Sequence, residues 1–239
     1  MEKASSSGQK KIFLLGDSIM KGVTYDTGDN EKGKYRLCCS DMLDRLSGGR
    51  FTFTNRSRMG ATLAYAAGNL QKLIGAEITD DAGIIIGYGG NDCDYDWKEV
   101  SESPDMPHTP KTPPEIFEKT YTEMLRALRT RTENIAVVNL PPIDPERYFA
   151  HISRGLSAEN ILHWLGDTGA LYRWHEYYNE IVEKTAAEAG CRIIDIRTPF
   201  LRSRNYTELI SGDGIHPTEQ GHILIRDKIF SELSATLPA

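Results

Sequence analysis

Four short blocks in this chain hold the residue types needed for attack on an acyl carbon. They are Gly16-Asp17-Ser18, Asn55 to Gly60, Gly89-Gly90-Asn91-Asp92 and Asp213-Gly214-Ile215-His216-Pro217. A neutral serine hydroxyl is a poor nucleophile. It needs a histidine to take its proton and a carboxylate to orient that histidine and stabilise its cation. Asp213 and His216 are three residues apart, so the carboxylate can reach Nδ1 while Nε2 stays free to face Ser18. The tetrahedral intermediate also needs hydrogen-bond donors for its oxyanion. The candidates are the N–H of Ser18 at a helix start, the N–H of Gly60 and the side-chain amide of Asn91.

Each block also has a plainer reading. Gly-Asp-Ser after a strand serves as a turn and helix cap, and Gly-Gly-Asn-Asp is an ordinary turn sequence. His216 reads as a loop histidine, with Pro217 opening the next helix. The weight lies in the joint pattern, because the blocks follow the first, second, third and, further on, the fifth predicted strand.

Those strands are Ile12–Leu15, Phe51–Thr54, Gly83–Ile86, Ile135–Val138 and Arg192–Asp195. Most are short apolar runs rather than alternating patterns, as in strands buried on both faces of a parallel sheet. Apolar residues at helical spacing predict helices over Tyr35–Leu46, Ala61–Ile74, Glu115–Arg131, Leu171–Ala189 and Glu219–Leu237. Alternating strands and helices predict an α/β fold, a three-layer α/β/α sandwich with about five parallel strands. In such sheets ligands bind at the carboxyl ends of the strands, where the four blocks fall. Residues 1–9 read as a disordered tail. Residues 10–239 read as a single domain with long insertions at about 93–114 and 141–170, and insertions of that length usually serve as lids or substrate loops.

At this point the blocks resemble those of the GDSL/SGNH hydrolase superfamily, named for its Ser, Gly, Asn and His. Gly16-Asp17-Ser18-Ile19 with Gly22 matches the first block, and Asn55-Arg-Ser-Arg-Met-Gly60 the second. Gly89-Gly90-Asn91-Asp92 matches the third, and Asp213-Gly-Ile-His216-Pro217 the last. Ser57 stands where glycine is common, and Met20-Lys21 where small or hydroxyl residues are. The resemblance implies a flavodoxin-like α/β/α hydrolase fold without metal or organic cofactor. It implies Ser18 as nucleophile, His216 as base, Asp213 as its orienting acid, and Gly60 and Asn91 as oxyanion donors beside Ser18. It separates the chain from α/β-hydrolases, since G-x-S-x-G is absent, and from G-x-G-x-x-G and P-loop nucleotide binders.

The chain has 239 residues, enough to bury a core without staples. Its 28 Lys and Arg against 34 Asp and Glu give a formal charge of -6. That balance argues against a general nucleic-acid binder, which needs a basic face. Cys38, Cys39, Cys93 and Cys191 form no C-x-x-C pair, so they read as reduced thiols in a reducing compartment. No stretch is long and apolar enough for a membrane span. A cytoplasmic protein is therefore expected, and a homo-oligomer is compatible with the sequence.

Asp92, Asp94 and Asp96 alternate like the start of a calcium loop. Trp97 stands where that loop needs glycine and Ser103 where it needs glutamate, so no metal site is expected. Tyr95 and Trp97 follow the third block directly and are expected to touch substrate, together with Asp17, Arg58 and Asp92. Arg56 flanks the second block beside Arg58, as a further candidate partner for an anionic group. Trp164, Tyr172, Trp174, Tyr177 and Tyr178 read as core or as a stacking surface. Polar, aromatic insertions and the lack of a long apolar stripe favour a serine esterase for short acyl groups, acetyl on a carbohydrate. The alternatives are a lysophospholipase or thioesterase, an acyltransferase, or a catalytically weak glycan-binding module.

Overall fold

The computed structural model describes residues 9–27, 33–39, 41–75 and 78–236. All of the expected tail except Gln9 lies outside the described residues. The chain opens with β1 (Lys10–Gly16), α1 (Ser18–Lys21) and a hairpin of β2 (Val23–Asp26) and β3 (Lys34–Leu37). Then come α2 (Met42–Ser47), β4 (Phe51–Asn55), α3 (Leu63–Gly68), α4 (Leu70–Ile74) and β5 (Gly83–Gly87). These are followed by α5 (Trp97–Glu102), α6 (Pro114–Arg129), β6 (Ile135–Val138), α7 (Pro145–Ile152) and α8 (Ala158–Leu165). The last elements are α9 (Gly169–Glu188), β7 (Arg192–Ile194), α10 (Arg197–Leu201), a 3₁₀ turn (Tyr206–Leu209) and α11 (Glu219–Thr236).

Five strands form one sheet in the order β4-β1-β5-β6-β7, and every pairing is parallel. Alternate residues of one strand feed opposite faces, as the pleat requires. Phe13 and Leu15 join Ile84 and Ile86 under α3, α4, α6 and α9. Ile12 and Leu14 join Ile85, Val138 and Ile194 under α2 and α11. The outcome is an α/β fold with helices on both faces of a parallel sheet, as the apolar runs predict.

Two predicted helices are corrected. Tyr35–Leu37 does not begin a helix; it pairs antiparallel with β2, with Tyr25 opposite Tyr35. The apolar residues at positions 42, 43 and 46 keep helical spacing, but the residues before them do not continue it. Cys39 sits at φ 54, a left-handed backbone that ends any regular element there. The Ala61–Ile74 helix is divided at Gly68-Asn69 into α3 and α4, where Asn69 Nδ2 turns back to the Tyr65 carbonyl. Asparagine is a poor helix former because its side chain competes for backbone groups in this way, and glycine because it loses the most backbone entropy.

The two insertions fold against each other. Asp96, Asp144 and Ser157 cap α5, α7 and α8 through side-chain oxygens on the first free N–H groups. Ser101 of α5 accepts from the Ser157 N–H and, through its carbonyl, from Asn160 Nδ2. Trp97, Val100, Ile143, Ile161 and Leu171 form a third apolar cluster between the insertions and α9. No helix among the described residues is long and apolar enough to cross a membrane.

Candidate active site

The end of β1 turns sharply into α1. A Cβ on Gly16 would lie 2.7 Å from the Gly87 carbonyl and 2.5 Å from Met20 Cγ, so only glycine fits beside β5. Asp17 caps α1 by accepting from the Ile19 N–H at 2.9 Å. This turn leaves Ser18 as the first residue of α1, 5% exposed, at the carboxyl edge of the sheet.

The Asp213–Pro217 loop faces it from the far end of the chain. His216 Nε2 lies 2.9 Å from Ser18 Oγ, and His216 Nδ1 lies 2.6 Å from Asp213 Oδ2. Asp213 is fully buried and also accepts the N–H groups of Ile215 and His216. Burial acts to raise its pKa. The hydrogen bond and charge of His216, with those two N–H groups, outweigh burial and hold it below its ordinary value. Gly214 allows the bend at φ 82, and its carbonyl accepts the Asp144 N–H at 2.8 Å. The Ser211 N–H reaches the His216 carbonyl at 2.7 Å and closes the loop.

The second and third blocks meet beside Ser18. The Arg56 and Arg58 N–H groups bond the Leu14 and Gly16 carbonyls, extending β4 along β1. Asn91 Nδ2 donates to the Ala61 carbonyl at 3.1 Å and reaches Asp17 Oδ2 at 3.4 Å. Gly60, at φ 73, is exposed between these anchors, and it does not line the cavity described below. Asp17 and Asp92 are buried, which pushes both carboxyl pKa values up to about 6.

A cavity of about 210 Å³ runs from Ser18 and His216 between the insertions and α9. Asp17, Asn91, Tyr95 and Trp97 line it, as do Trp164 and Trp174 of the aromatic cluster. Tyr178 belongs to the core, its hydroxyl on the Thr112 carbonyl, and Tyr177 is exposed. Tyr172 binds Arg197.

Two residues expected at the substrate lie elsewhere. Asp92 is fully buried; it accepts the Leu63 N–H and the Thr112 hydroxyl, tying α3 to the loop before α6. Arg58 is outside the cavity, with its guanidinium over the Tyr65 ring. Arg56 reaches the Leu73 carbonyl. The three alternating aspartates serve different partners. Asp94 takes Trp97 Nε1, Lys111 Nζ and the Tyr148 hydroxyl, while Asp96 caps α5.

Two neighbours were not foreseen. The Tyr35 ring packs edge-on to His216 with centroids 5.2 Å apart, and it contacts Tyr25 and, through its hydroxyl, His151 Nε2. His175 of α9 lines the cavity. Neither lies in or beside a recognisable block, so only their contacts with residues distant in sequence reveal them.

A buried serine, histidine and aspartate in hydrogen-bond sequence at the edge of a parallel sheet have the arrangement of a serine hydrolase. The GDSL-like lipase/acylhydrolase family model matches residues 14–224, and the chain belongs to that family. No curated protein sequence matches it. Among solved structures it is similar to a lipase/acylhydrolase from Enterococcus faecalis, at TM-score 0.68 and 17% identity over 95% of this chain and 96% of that one. It is also similar to LAE5, an α/β hydrolase enzyme from the metagenome of Lake Arreo, at 0.64 and 20% over 93% and 94%. Axe2, an acetylxylan esterase from Geobacillus stearothermophilus, matches at 0.64 and 16% over 94% of each chain. At these identities the likeness concerns the fold.

Proposed function

We propose that this chain hydrolyses carboxylic esters through an acyl-Ser18 intermediate and seats an apolar acyl group of several carbons in the cavity. The 2.6 Å and 2.9 Å links from Asp213 through His216 to Ser18 carry the catalytic half of this reading. As Ser18 Oγ attacks the carbonyl carbon, His216 Nε2 takes its proton, and Asp213 stabilises the imidazolium. The new oxyanion accepts from the N–H groups of Ser18 and Gly60 and from Asn91 Nδ2. One Asn91 N–H is engaged by the Ala61 carbonyl, while the other has only the long 3.4 Å contact to Asp17, which an oxyanion can displace. Collapse breaks the ester C–O bond, and the leaving alcohol takes the proton from His216. Water then gives a proton to His216, attacks the acyl carbon and releases the acid, and Ser18 recovers its hydrogen.

The lining of the cavity supports the apolar acyl group. Met20, Val138, Leu140, Ile143, Leu171 and Ile215 dominate the wall. A sugar needs many hydrogen bonds, and Asp94 and Asn139 already have theirs filled. An apolar cavity of about 150 Å³ holds a benzene ring, so this one holds more than an acetyl methyl. A second reading, acetyl esters of a carbohydrate, draws on Trp97, Trp164 and Trp174 as stacking faces and on the likeness to an acetylxylan esterase. Unpaired Cys38, Cys39, Cys93 and Cys191 suit a reducing compartment such as the cytoplasm.

The test is hydrolysis of p-nitrophenyl esters from acetate to decanoate, beside acetylated xylose. A kcat/KM that rises from acetate towards hexanoate and vanishes in Ser18→Ala supports the proposal. Acetate preferred over hexanoate, with turnover of acetylated sugar, favours the second reading.

A further inference from the structure

Of the carboxylate, amide and imidazole groups in the cavity wall, one has no hydrogen-bond partner among the described residues. Among the carboxylate, amide and imidazole groups that line it, Asp17, Ser18, Asn91 and His216 belong to the reacting centre. Asp94 is occupied by Trp97, Lys111 and Tyr148. Asn139 gives its Nδ2 to Glu183 and Asp195, and its Oδ1 accepts the N–H groups of Ile196 and Arg197. His175 is 6% exposed and makes no hydrogen bond to any described residue. It lies one turn beyond Leu171 on α9, so the helix presents Leu171, Trp174 and His175 to the same cavity.

An unpartnered buried polar group costs free energy, and native interiors rarely tolerate one without a role. His222 shows the ordinary solution, since its Nε2 bonds the Val23 carbonyl at 2.8 Å. His175 has no such bond, although it stands in an apolar wall. Burial, helped by the charge of Arg197, pushes its pKa down to about 3, so the ring is neutral at any working pH. A neutral imidazole carries one proton, and the hydrogen bond available to each nitrogen decides where it sits. Nδ1 is sealed with no acceptor nearby. The proton therefore belongs on Nε2, and the ring lines the cavity as a hydrogen-bond donor.

We infer that His175 reads an oxygen atom carried along the acyl chain, so that the preferred substrates are esters of oxygen-substituted acids, such as oxoacyl esters, over plain alkanoyl esters. This rests on the proposal that the acyl group occupies the cavity. His175 is then a specificity residue. A plain alkyl chain leaves its N–H buried and unpaired, and a matched acceptor removes that penalty. A neutral hydrogen bond of this kind separates two otherwise equal substrates by about tenfold.

The experiment compares p-nitrophenyl acetate, hexanoate and the 3-, 4- and 5-oxohexanoates. Each kcat/KM is divided by that ester's rate of alkaline hydrolysis, which removes intrinsic reactivity. The native enzyme should prefer one oxo isomer over hexanoate by about tenfold. That ratio should fall to about one in His175→Leu and be partly kept in His175→Gln, which retains an N–H donor. Should His175→Leu fail to fold, the native ratio and the His175→Gln ratio still decide. Hexanoate preferred over acetate, with the same oxo ratio in native enzyme and His175→Leu, overturns the inference alone. So does a native enzyme indifferent to the oxygen at every position. Acetate preferred over hexanoate with no oxo preference overturns both the inference and the seating of the acyl group.

Discussion

The ring of Tyr35 stands edge-on to the imidazole of His216, with centroids 5.2 Å apart and planes at 64°. Tyr35 comes from the β2–β3 hairpin and His216 from the last loop, so an accessory hairpin walls one side of the proposed catalytic base. An edge-to-face pair of this kind is worth about 0.5–1.5 kcal/mol. Tyr35→Ala should therefore lower kcat/KM on p-nitrophenyl esters by about tenfold. Tyr35→Phe keeps the ring and should stay within about twofold. A Tyr35→Phe loss as large as that of Tyr35→Ala would assign the effect to the hydroxyl and its contact with His151.

Ser18→Ala and His216→Ala should each lower kcat by about 10⁴-fold or more, and the double variant should lose little beyond either single one, because the residues act as a unit. Steady-state kinetics with circular dichroism as a fold control checks this. Additive losses would mean that the two do not share a step.

Asn91→Ala should lower kcat by about 10²- to 10³-fold, as removal of one oxyanion donor does, with KM little changed. An effect on KM alone would make Asn91 a binding residue and move the oxyanion elsewhere.

Asp17→Asn should change the pH dependence of stability. Burial is the main reason that Asp17 titrates near 6 rather than 3.8. Between those values the folded state holds more protons than the unfolded state, so Asp17 makes stability fall as pH rises through that window. The displacement corresponds to about 3 kcal/mol at full effect. Asparagine keeps an acceptor for the Ile19 N–H. The variant should match the native protein near pH 4 and exceed it by about 2–3 kcal/mol above pH 7, measured by urea denaturation.

Gly214→Ala should destabilise the protein and depress activity together. Gly214 has φ 82, and an added Cβ would lie 2.2 Å from the Tyr148 N and 2.6 Å from the Asp144 carbonyl oxygen. The left-handed backbone alone costs about 1–2 kcal/mol for alanine. The clash is with backbone, so α7 or the Asp213–His216 loop must shift. Thermal unfolding and kcat on one ester should fall in parallel.

The parallel sheet and the site blocks were legible because both are written locally. Ile12–Leu15, Gly83–Ile86 and Ile135–Val138 are apolar runs with buried strand composition, and they lie within β1, β5 and β6. Asp213 and His216 sit three residues apart, so one loop brings them to 2.6 Å. The Tyr35–Leu46 helix failed because Tyr35 is held by cross-strand pairing to Tyr25, a partner that helical spacing ignores. Asp92 is expected at the substrate, yet successive side chains in a turn point in different directions, and its carboxylate faces the Leu63 N–H.

The sequence by itself determined the layers of the fold and the place of the proposed site blocks after strands, since periodicity and short-range spacing set these. Tertiary structure alone decided which groups enclose the reacting centre. Tyr35 meets His216 across 181 positions of chain. His175 reaches the cavity only because α9 packs beside the insertions. Such contacts depend on burial summed over many distant apolar residues, and no local pattern records which of them will meet.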